Sequence, residues 1–158
     1  MQKLTILNSR EVKKVRECME TMFNYALQGD YVYLLNEKDR LFLTNRDFAQ
    51  IDTKKLIIDR VGLYFAEYKN NELRLSKEGA QLLFHNAKQH GKTLSNTLDF
   101  SREQLKQYFL GADIELDLGP KARYLLLKFN EDVFGCAKYK EGKILNFHPK
   151  QHRGEVII

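Results

Sequence analysis

Hydrophobic and polar positions follow a helical period in the first part of the chain. Asn8 is followed three residues later by Glu11, which is the spacing of a capping box. From Val12 onward, apolar residues recur every three or four positions as far as Ala26. Because this spacing places them on one face of a helix, the pattern predicts a first helix from about Ser9 to Ala26.

The pattern then changes to short apolar runs separated by turn residues. Residues 31–35 and 41–44 are rich in aromatic and aliphatic side chains and flank a polar stretch, which predicts a β-hairpin. A second hairpin is predicted from residues 56–68 and 72–75, joined by the turn residues Asn70-Asn71. This part of the chain is therefore predicted to form a sheet.

A second helix is predicted after this sheet. Ser76 supplies an N-cap, the helix is expected to run to about Lys88, and Gly91 can take the left-handed conformation that ends a helix. The polar stretch 95–97 has the character of a connection. The first domain is thus predicted to be an α/β half that covers residues 1–95.

A shorter helix and several short strands are predicted in the second half. Ser101 and Gln104 again have the spacing of a capping box, and Gly111 is placed to end the helix. Four strand-length segments follow, separated by turn residues: 114–118, 124–129, 133–139 and 143–147. Short strands after one helix are typical of a small β-barrel, so we predict an α+β fold with a barrel over residues 96–158.

Some residues of the first half suggest chemistry but fit a structural role better. Cys18 lies among apolar helical positions and is interpreted as a packing residue. Lys13, Lys14 and Arg16 are interpreted as the solvated face of the first helix. Six aromatic residues are interpreted as core residues rather than as platforms for stacked bases: Tyr25, Tyr31, Tyr33, Tyr64, Phe65 and Tyr68.

The charge of the chain favours a polyanionic partner. Its formal net charge is +5 and its isoelectric point is near 9.1. The excess is concentrated at the end, since residues 119–158 contain eight Lys and Arg against four Asp and Glu. A basic protein that is merely soluble would show the same net charge, so the charge alone does not identify the partner.

The composition also limits the cellular location of the protein and the metals or cofactors that it can hold. The two cysteines are too few for a disulfide scaffold, and no apolar run reaches membrane length, so we expect a cytoplasmic protein with no membrane partner. His148 and His152 have the spacing of metal ligands, but Pro149 interrupts any helix that would bring them together. We therefore expect no metal and no cofactor.

Two segments of the second half carry a family resemblance. Residues 110–114 (Leu-Gly-Ala-Asp-Ile), which follow the short helix, resemble the opening of PUA domains, which are RNA-binding pseudobarrels. Residues 134–138 (Phe-Gly-Cys-Ala-Lys), with residues 142–150 and Arg153, resemble the C-terminal signature of Fmu/Sun-type rRNA cytosine-5 methyltransferases. Those enzymes end in a PUA-like RNA-binding domain, which implies the same fold here.

The resemblance also extends upstream and then stops. Residues 60–67 and 73–76, with Gly79-Ala80, are similar to the segment that leads into that domain, so the resemblance covers about residues 57–153. The methyltransferase domain and its glycine-rich loop are missing, and neither cysteine follows Pro or Thr as a catalytic cysteine of that family does. The resemblance therefore implies RNA binding without catalysis, in a standalone layout similar to that of Nip7-type ribosome-biogenesis factors.

The candidate RNA-binding residues lie mostly in the last forty residues. Lys143, Asn146, His148, Lys150 and Arg153 belong to a segment with no acidic side chain, and Pro149 is expected to order it. The alternative is a solvated basic tail. The resemblance further implies that Leu145 stands where the enzymes often carry Lys, so one phosphate contact is expected to be missing.

Four more candidates precede that segment. Gly111 at the helix end would let RNA approach the backbone, and the resemblance places this turn in the RNA groove; a plain helix C-cap is the alternative. Lys121 and Arg123 stand at the entrance of a strand, and Lys138 lies within the segment that carries the resemblance. Lys121 and Arg123 would contact phosphates or else form the solvent face of an alternating strand.

Three functions are compatible with these features. The first is a non-catalytic protein that recognises structured rRNA or tRNA as an accessory in ribosome biogenesis or RNA modification, with an RNA methyltransferase or a pre-ribosomal particle as a further partner. The second is a protein-interaction module that recruits a separate methyltransferase without gripping RNA. An enzyme is the third, and it would need a nucleophile or a cofactor loop that the sequence does not show. Salt sensitivity separates the first two, because phosphate contacts release counterions.

Overall fold

The computed structural model describes residues 3–51, 61–148 and 150–157. The chain forms two compact units, Met1–Leu94 and Ser95–Ile158. Each unit combines helices with a five-stranded sheet, so the fold class is α+β as predicted. None of the helices in the described ranges is long and apolar enough to cross a membrane.

The N-terminal unit is built on an antiparallel sheet in which neighbouring strands follow the order of the chain. Its elements are β1 (Leu4–Ile6), α1 (Ser9–Phe23), β2 (Tyr31–Asn36), β3 (Arg40–Asn45), a 3-10 helix (Arg46–Gln50), β4 (Leu63–Lys69), β5 (Glu72–Leu75) and α2 (Lys77–Gln89). Both predicted hairpins are confirmed. Strand β1 was not predicted, because three residues are too few to show alternation. Of the predicted strand over 56–68, residues 56–60 lie outside the described residues.

Helix α1 begins as predicted and ends earlier. The Asn8 side chain accepts a hydrogen bond from the Glu11 N–H at 3.0 Å, and the Glu11 carboxylate accepts one from the Asn8 N–H at 2.8 Å, so the capping box is confirmed. The helix ends at Phe23, where Asn24 takes a left-handed conformation with φ of 57°. The prediction ran on to Ala26, since buried residues after the helix end continue the apolar pattern.

The irregular segment after α1 is held by side chains of both helices. From α2, Asn86 accepts hydrogen bonds from the Gln28 N–H at 2.9 Å and the Tyr25 hydroxyl at 2.5 Å, and it donates to the Gln28 carbonyl at 2.9 Å. From α1, the Arg16 guanidinium donates to the Leu27 carbonyl. These side chains supply partners for backbone groups that have none in a helix or sheet. Arg16 is therefore half-buried, and its predicted place on the solvated face was wrong.

The core of the N-terminal unit brings helix α2 close to the sheet. A Cβ atom at Gly79, in the first turn of α2, would collide with the carbonyl of Phe65 in β4, so only glycine allows this approach. Three of the six aromatic residues are buried as predicted: Tyr25, Tyr33 and Phe65. The other three are only partly buried: Tyr31, Tyr64 and Tyr68.

The C-terminal unit contains a second sheet, curled into a half-barrel, with the strand order β6-β8-β9-β10-β7. Its elements are β6 (Thr97–Asp99), α3 (Arg102–Phe109), β7 (Ile114–Glu115), β8 (Arg123–Phe129), β9 (Asp132–Lys140), β10 (Lys143–Ile144) and a second 3-10 helix (Lys150–His152). Strand β6 pairs in parallel with β8, so the predicted connection at 95–97 was wrong at Thr97. Helix α3 covers the inner face of the sheet, where the buried residues form one cluster: Phe100, Leu105, Tyr108, Ile114, Leu125, Leu127, Phe134, Ala137, Tyr139 and Ile144.

The end of helix α3 is tied to the segment after β10 by Asn146. The Asn146 amide donates hydrogen bonds to the carbonyls of Tyr108 at 2.7 Å and Ala112 at 2.8 Å. Its oxygen accepts a hydrogen bond from the His148 N–H at 2.9 Å. The last carbonyls of a helix lack partners within the helix, so this side chain acts as their cap.

Replacing Gly79 by alanine should destabilise the N-terminal unit by about 3 kcal/mol, because the added methyl group forces α2 away from the Phe65 carbonyl. Urea unfolding would measure the change in the free energy of unfolding. The control is Gly154→Ala, where the added Cβ meets nothing within 4 Å, and its effect should stay within about 0.5 kcal/mol. Equal stability of the Gly79 variant and the wild type would contradict the close approach.

Replacing Asn146 by alanine should destabilise the C-terminal unit by about 2 kcal/mol, because the Ala112 carbonyl loses the Asn146 donor, the Tyr108 carbonyl keeps only the Gly111 N–H, and the His148 N–H loses its acceptor. Thermal or urea unfolding of the variant would measure this loss. Gln107→Ala is the matched control, since it removes an amide from an exposed position of α3 and should change the free energy of unfolding by less than about 0.5 kcal/mol. A harmless Asn146 substitution would show that the cap is not needed.

Candidate nucleic-acid interface

The candidate residues of the second half fall into three groups in the structure. One group surrounds the end of helix α3, the second lies on the outer face of the half-barrel, and the third stands in the loop before β8. Only part of each group presents a charged side chain to solvent, because several members are engaged in internal contacts.

Gly111 lies in the turn that follows helix α3. Its φ of 100° is one that side chains rarely adopt, and its N–H donates to the Tyr108 carbonyl at 3.0 Å. The Arg153 side chain lies across it, since a Cβ atom at this position would be 2.9 Å from the Arg153 Cδ. The Gly111 N–H is thus engaged in ending the helix, and the missing side chain makes room for an arginine.

Arg153 and His148 hold the last described segment onto the end of this helix. The Arg153 Nε donates to the His148 carbonyl at 3.1 Å, and the N–H of Gly154 donates to the Phe109 carbonyl at 2.9 Å. The His148 ring centroid lies 4.6 Å from that of Phe109, and the residue is only 6% exposed. His148 is therefore an interior residue, which removes it from any exposed RNA-binding surface.

The structure gives no support to a metal site at the two histidines. The His148 Nε2 lies 3.0 Å from the backbone carbonyl of His152, and the two ring centroids are 6.0 Å apart. Within the described ranges, no three His, Cys, Asp or Glu residues are grouped as metal ligands. Pro149, which was expected to order this loop, lies outside the described residues.

Strand register places three lysines on the outer face of the half-barrel. Tyr139 faces the core, so its neighbours Lys138 and Lys140 on β9 face outward. Lys143 on β10 lies directly opposite Lys140, and opposed residues of an antiparallel pair share a face. We call Lys138, Lys140 and Lys143 the lysine face. Glu115 on β7 lies opposite Lys143 and is the acidic residue next to it.

The three lysines differ in how far their side chains are exposed to solvent. The Lys138 ammonium lies 5.3 Å from the ring centroid of Tyr124 on β8, and the residue is half-buried. Lys140 and Lys143 are exposed. Sequence reasoning missed Lys140, although its spacing of two residues from Lys138 on a strand was the signal that could have found it.

Arg123 and Lys121 have different surroundings at the entrance of strand β8. The Arg123 guanidinium lies 5.3 Å from the ring centroid of Tyr139 and donates to the Lys121 carbonyl at 3.0 Å. The Tyr139 hydroxyl donates to the Gly119 carbonyl at 2.7 Å. Arg123 thus helps to fix the preceding loop, while the Lys121 side chain is exposed on it.

Both cysteine side chains and the phenol of Tyr108 are buried. Both cysteines are buried as free thiols. Burial raises the pKa of the Cys18 thiol, which donates to the Asn71 carbonyl at 3.0 Å, so its interpretation as a packing residue is confirmed. Burial likewise raises the pKa of Tyr108 to about 12, which keeps this phenol neutral at physiological pH.

The C-terminal unit matches a known family. The family model described as the methyltransferase RsmF PUA domain matches residues 95–153, which include helix α3, the strands of the half-barrel and the segment that contains Asn146. The matched residues therefore include the lysine face and the contacts at the end of α3.

Curated relatives align with a longer part of the chain. The ribosomal RNA small subunit methyltransferase F of Shewanella oneidensis is 26% identical over 113 residues, which are 71% of this chain and 22% of that protein. The protein of the same name from Shewanella sp. strain MR-4 is 24% identical over 148 residues, which are 92% of this chain and 30% of that protein. The chain thus spans less than a third of the length of these relatives. Its C-terminal unit is a PUA-like domain of the kind found in RsmF-type methyltransferases.

Proposed function

We propose that this chain binds structured RNA, either rRNA or tRNA, through its PUA-like unit and acts without catalysis as an accessory in ribosome biogenesis or RNA modification. The observation that carries the proposal is the lysine face, which gathers three cations on one surface of a domain of this kind. We further propose a cytoplasmic location and a separate RNA methyltransferase or pre-ribosomal particle as partner.

The composition of the lysine face favours contact with the RNA backbone. Lysine ammonium groups act as point charges for phosphates and carry little information about base identity. The aromatic ring of this face, Tyr124, is overlain by Lys138, which leaves less of its surface for a stacked base. A surface of this kind suits the regular phosphate spacing of double-stranded RNA, whose bases are hard to reach.

Two observations support a role without catalysis. The family model that matches is that of the PUA domain rather than that of a methyltransferase domain. Both thiols are buried, and burial raises the pKa of Cys18, so this thiol is protonated and a poor nucleophile.

The lysine face can be tested with the variant K138Q/K140Q/K143Q, which removes three charges and keeps the side chains long. Its affinity for total tRNA and for rRNA fragments should fall at least tenfold at low salt. The slope of log K against log salt should become shallower by about 2 to 3, because each lost phosphate contact contributes about 0.7 to 0.9. Filter binding at several salt concentrations would measure both quantities.

A matched control separates this face from net charge. The variant K3Q/K14Q/K77Q removes the same charge from exposed positions of the N-terminal unit and should bind RNA almost as the wild type does. An equal loss of RNA affinity in both variants would show that net charge, rather than the lysine face, determines binding. A folded wild-type chain that binds no RNA would overturn the proposal and favour a protein-interaction module that recruits a methyltransferase.

The exposed residues outside the lysine face provide a second, weaker set of contacts in this proposal. Lys121 and Lys150 are exposed, and Arg153 is partly exposed beside Gly111. Single Lys121→Gln and Lys150→Gln substitutions should each weaken binding less than the triple variant, because each removes one phosphate contact. A Lys150→Gln variant that loses as much affinity as the triple variant would move the main interface to the end of α3.

A further inference from the structure

The N-terminal unit contains an open cleft that the proposed function does not use. Its volume is about 620 Å³, and we call it the tyrosine cleft. Helix α1, the irregular segment after it, strand β2 and the first 3-10 helix contribute its walls, which include Arg16, Gln28, Asp30, Tyr31, Tyr33 and Arg46. We call the hydrogen bonds that Asn86 and Arg16 form with the backbone of the irregular segment the clamp, and they fix one wall of the cleft.

Tyr33 is one of the residues that line this cleft, and its hydroxyl is buried without an acceptor. Tyr33 is 3% exposed, and the Arg16 guanidinium beside its hydroxyl is a donor only, so the hydroxyl proton has no acceptor among the described residues. Buried polar groups in native proteins are nearly always hydrogen-bonded, so an orphan of this kind indicates a missing partner. Burial raises the pKa of Tyr33, against smaller opposite effects of the Arg16 charge and of a hydrogen bond from Arg16, so the hydroxyl stays protonated and can donate. A missing partner that accepts from it would be an acceptor atom.

Two arginines stand at the same cleft. Arg16 is half-buried and is oriented by its hydrogen bond to the Leu27 carbonyl. Arg46 makes an ion pair of 3.2 Å with Asp30, in which both side chains are about three-quarters exposed, at 74% and 77%. An exposed pair of this kind is weak, so Arg46 can exchange the carboxylate for another anion at little cost.

We propose that the tyrosine cleft binds one nucleotide of RNA by its phosphate. The phosphate oxygens accept hydrogen bonds from the Tyr33 hydroxyl and the Arg16 guanidinium, and Arg46 leaves Asp30 to join them. The partly exposed ring of Tyr31, at the same cleft, provides the apolar surface for the base or ribose. This inference rests on the proposed function, to which it adds an RNA contact in the N-terminal unit.

The chemistry of the cleft favours a phosphate of RNA over other acceptors. Guanidinium groups match the geometry of phosphate oxygens and bind them by paired hydrogen bonds. Arg16 and Arg46 outnumber Asp30 among the charged residues that line the cleft, so an anion is favoured. An aromatic ring beside a phosphate site is a typical arrangement for a nucleotide with a free base.

The test is a titration of the full chain with a single-stranded tetrauridine, followed by NMR of the backbone amides of Gln28 to Tyr31. Tyr33→Phe removes only the hydroxyl, so the variant should fold at least as stably as the wild type and bind the tetranucleotide about tenfold more weakly. Arg46→Ala should have an effect of similar size. Asp30→Asn should strengthen binding several-fold, because it removes a negative charge and releases Arg46.

The matched control is Arg10→Ala, which removes an arginine from an exposed position of α1 outside the cleft and should leave the titration unchanged. Unchanged affinity in both the Tyr33 and Arg46 variants, or weaker binding after Asp30→Asn, would overturn the inference. Inorganic phosphate is titrated in parallel, and equal affinity for phosphate and for the tetranucleotide would overturn the assignment to a nucleotide.

The variant K138Q/K140Q/K143Q separates this inference from the proposed function. It should bind tRNA at least tenfold more weakly than the wild type and keep the tetranucleotide shifts of Gln28 to Tyr31. If the wild type binds tRNA through its lysines but the tetranucleotide moves none of these amides, the tyrosine cleft is excluded and the proposed function stands. If the tetranucleotide binds at the cleft while the triple lysine variant binds tRNA as tightly as the wild type, the proposed site on the lysine face is excluded and the cleft is supported.

Discussion

In each unit, an asparagine side chain forms hydrogen bonds with backbone N–H or carbonyl groups at a point where the chain leaves a helix. Asn86 holds the segment after helix α1 through both the N–H and the carbonyl of Gln28. Asn146 holds the end of helix α3 through the carbonyls of Tyr108 and Ala112. Backbone groups that leave a helix or sheet need partners elsewhere, and these two side chains supply them to the irregular segments.

This constraint turns several polar residues of the PUA-like unit inward and leaves others exposed to solvent. Asn146, His148 and Arg123 all looked available in the sequence, yet each contacts the backbone or the aromatic residues of its own unit. Charge for a partner remains on side chains that have no such contact to make. In this unit, those include the exposed lysines Lys140 and Lys143, where strand β9 pairs with the short strand β10, and the exposed Lys121 and Lys150.

The same constraint shapes the tyrosine cleft of the N-terminal unit. The clamp on the irregular segment fixes the backbone just before Asp30 and Tyr31, so these residues enter strand β2 from a defined position. Arg16 contributes to the clamp and to the cleft wall, and its hydrogen bond to Leu27 limits the positions that its guanidinium can take. A preorganised cation loses less conformational entropy on binding an anion than a free surface lysine does.

The sequence by itself determined the local features of this protein. Both capping boxes, the N-cap at Ser76, the turn at Asn70-Asn71 and the hairpins depend on residues within a few positions of each other, so their patterns are legible in the chain. The basic C-terminal part and the likeness to PUA domains were also legible, because they depend on composition and on contiguous motifs.

Tertiary structure alone decided which polar residues turn inward and which short strands pair with distant ones. Asn146 is 38 residues from the Tyr108 carbonyl that it caps, and Asn86 is 58 residues from Gln28, so no local pattern marks either role. Strands β1 and β6 have three residues each and exist because a distant strand offers hydrogen bonds. The lysine face exists because strand pairing sets Lys143 opposite Lys140, and the tyrosine cleft exists because α1 and the start of β2 meet in space.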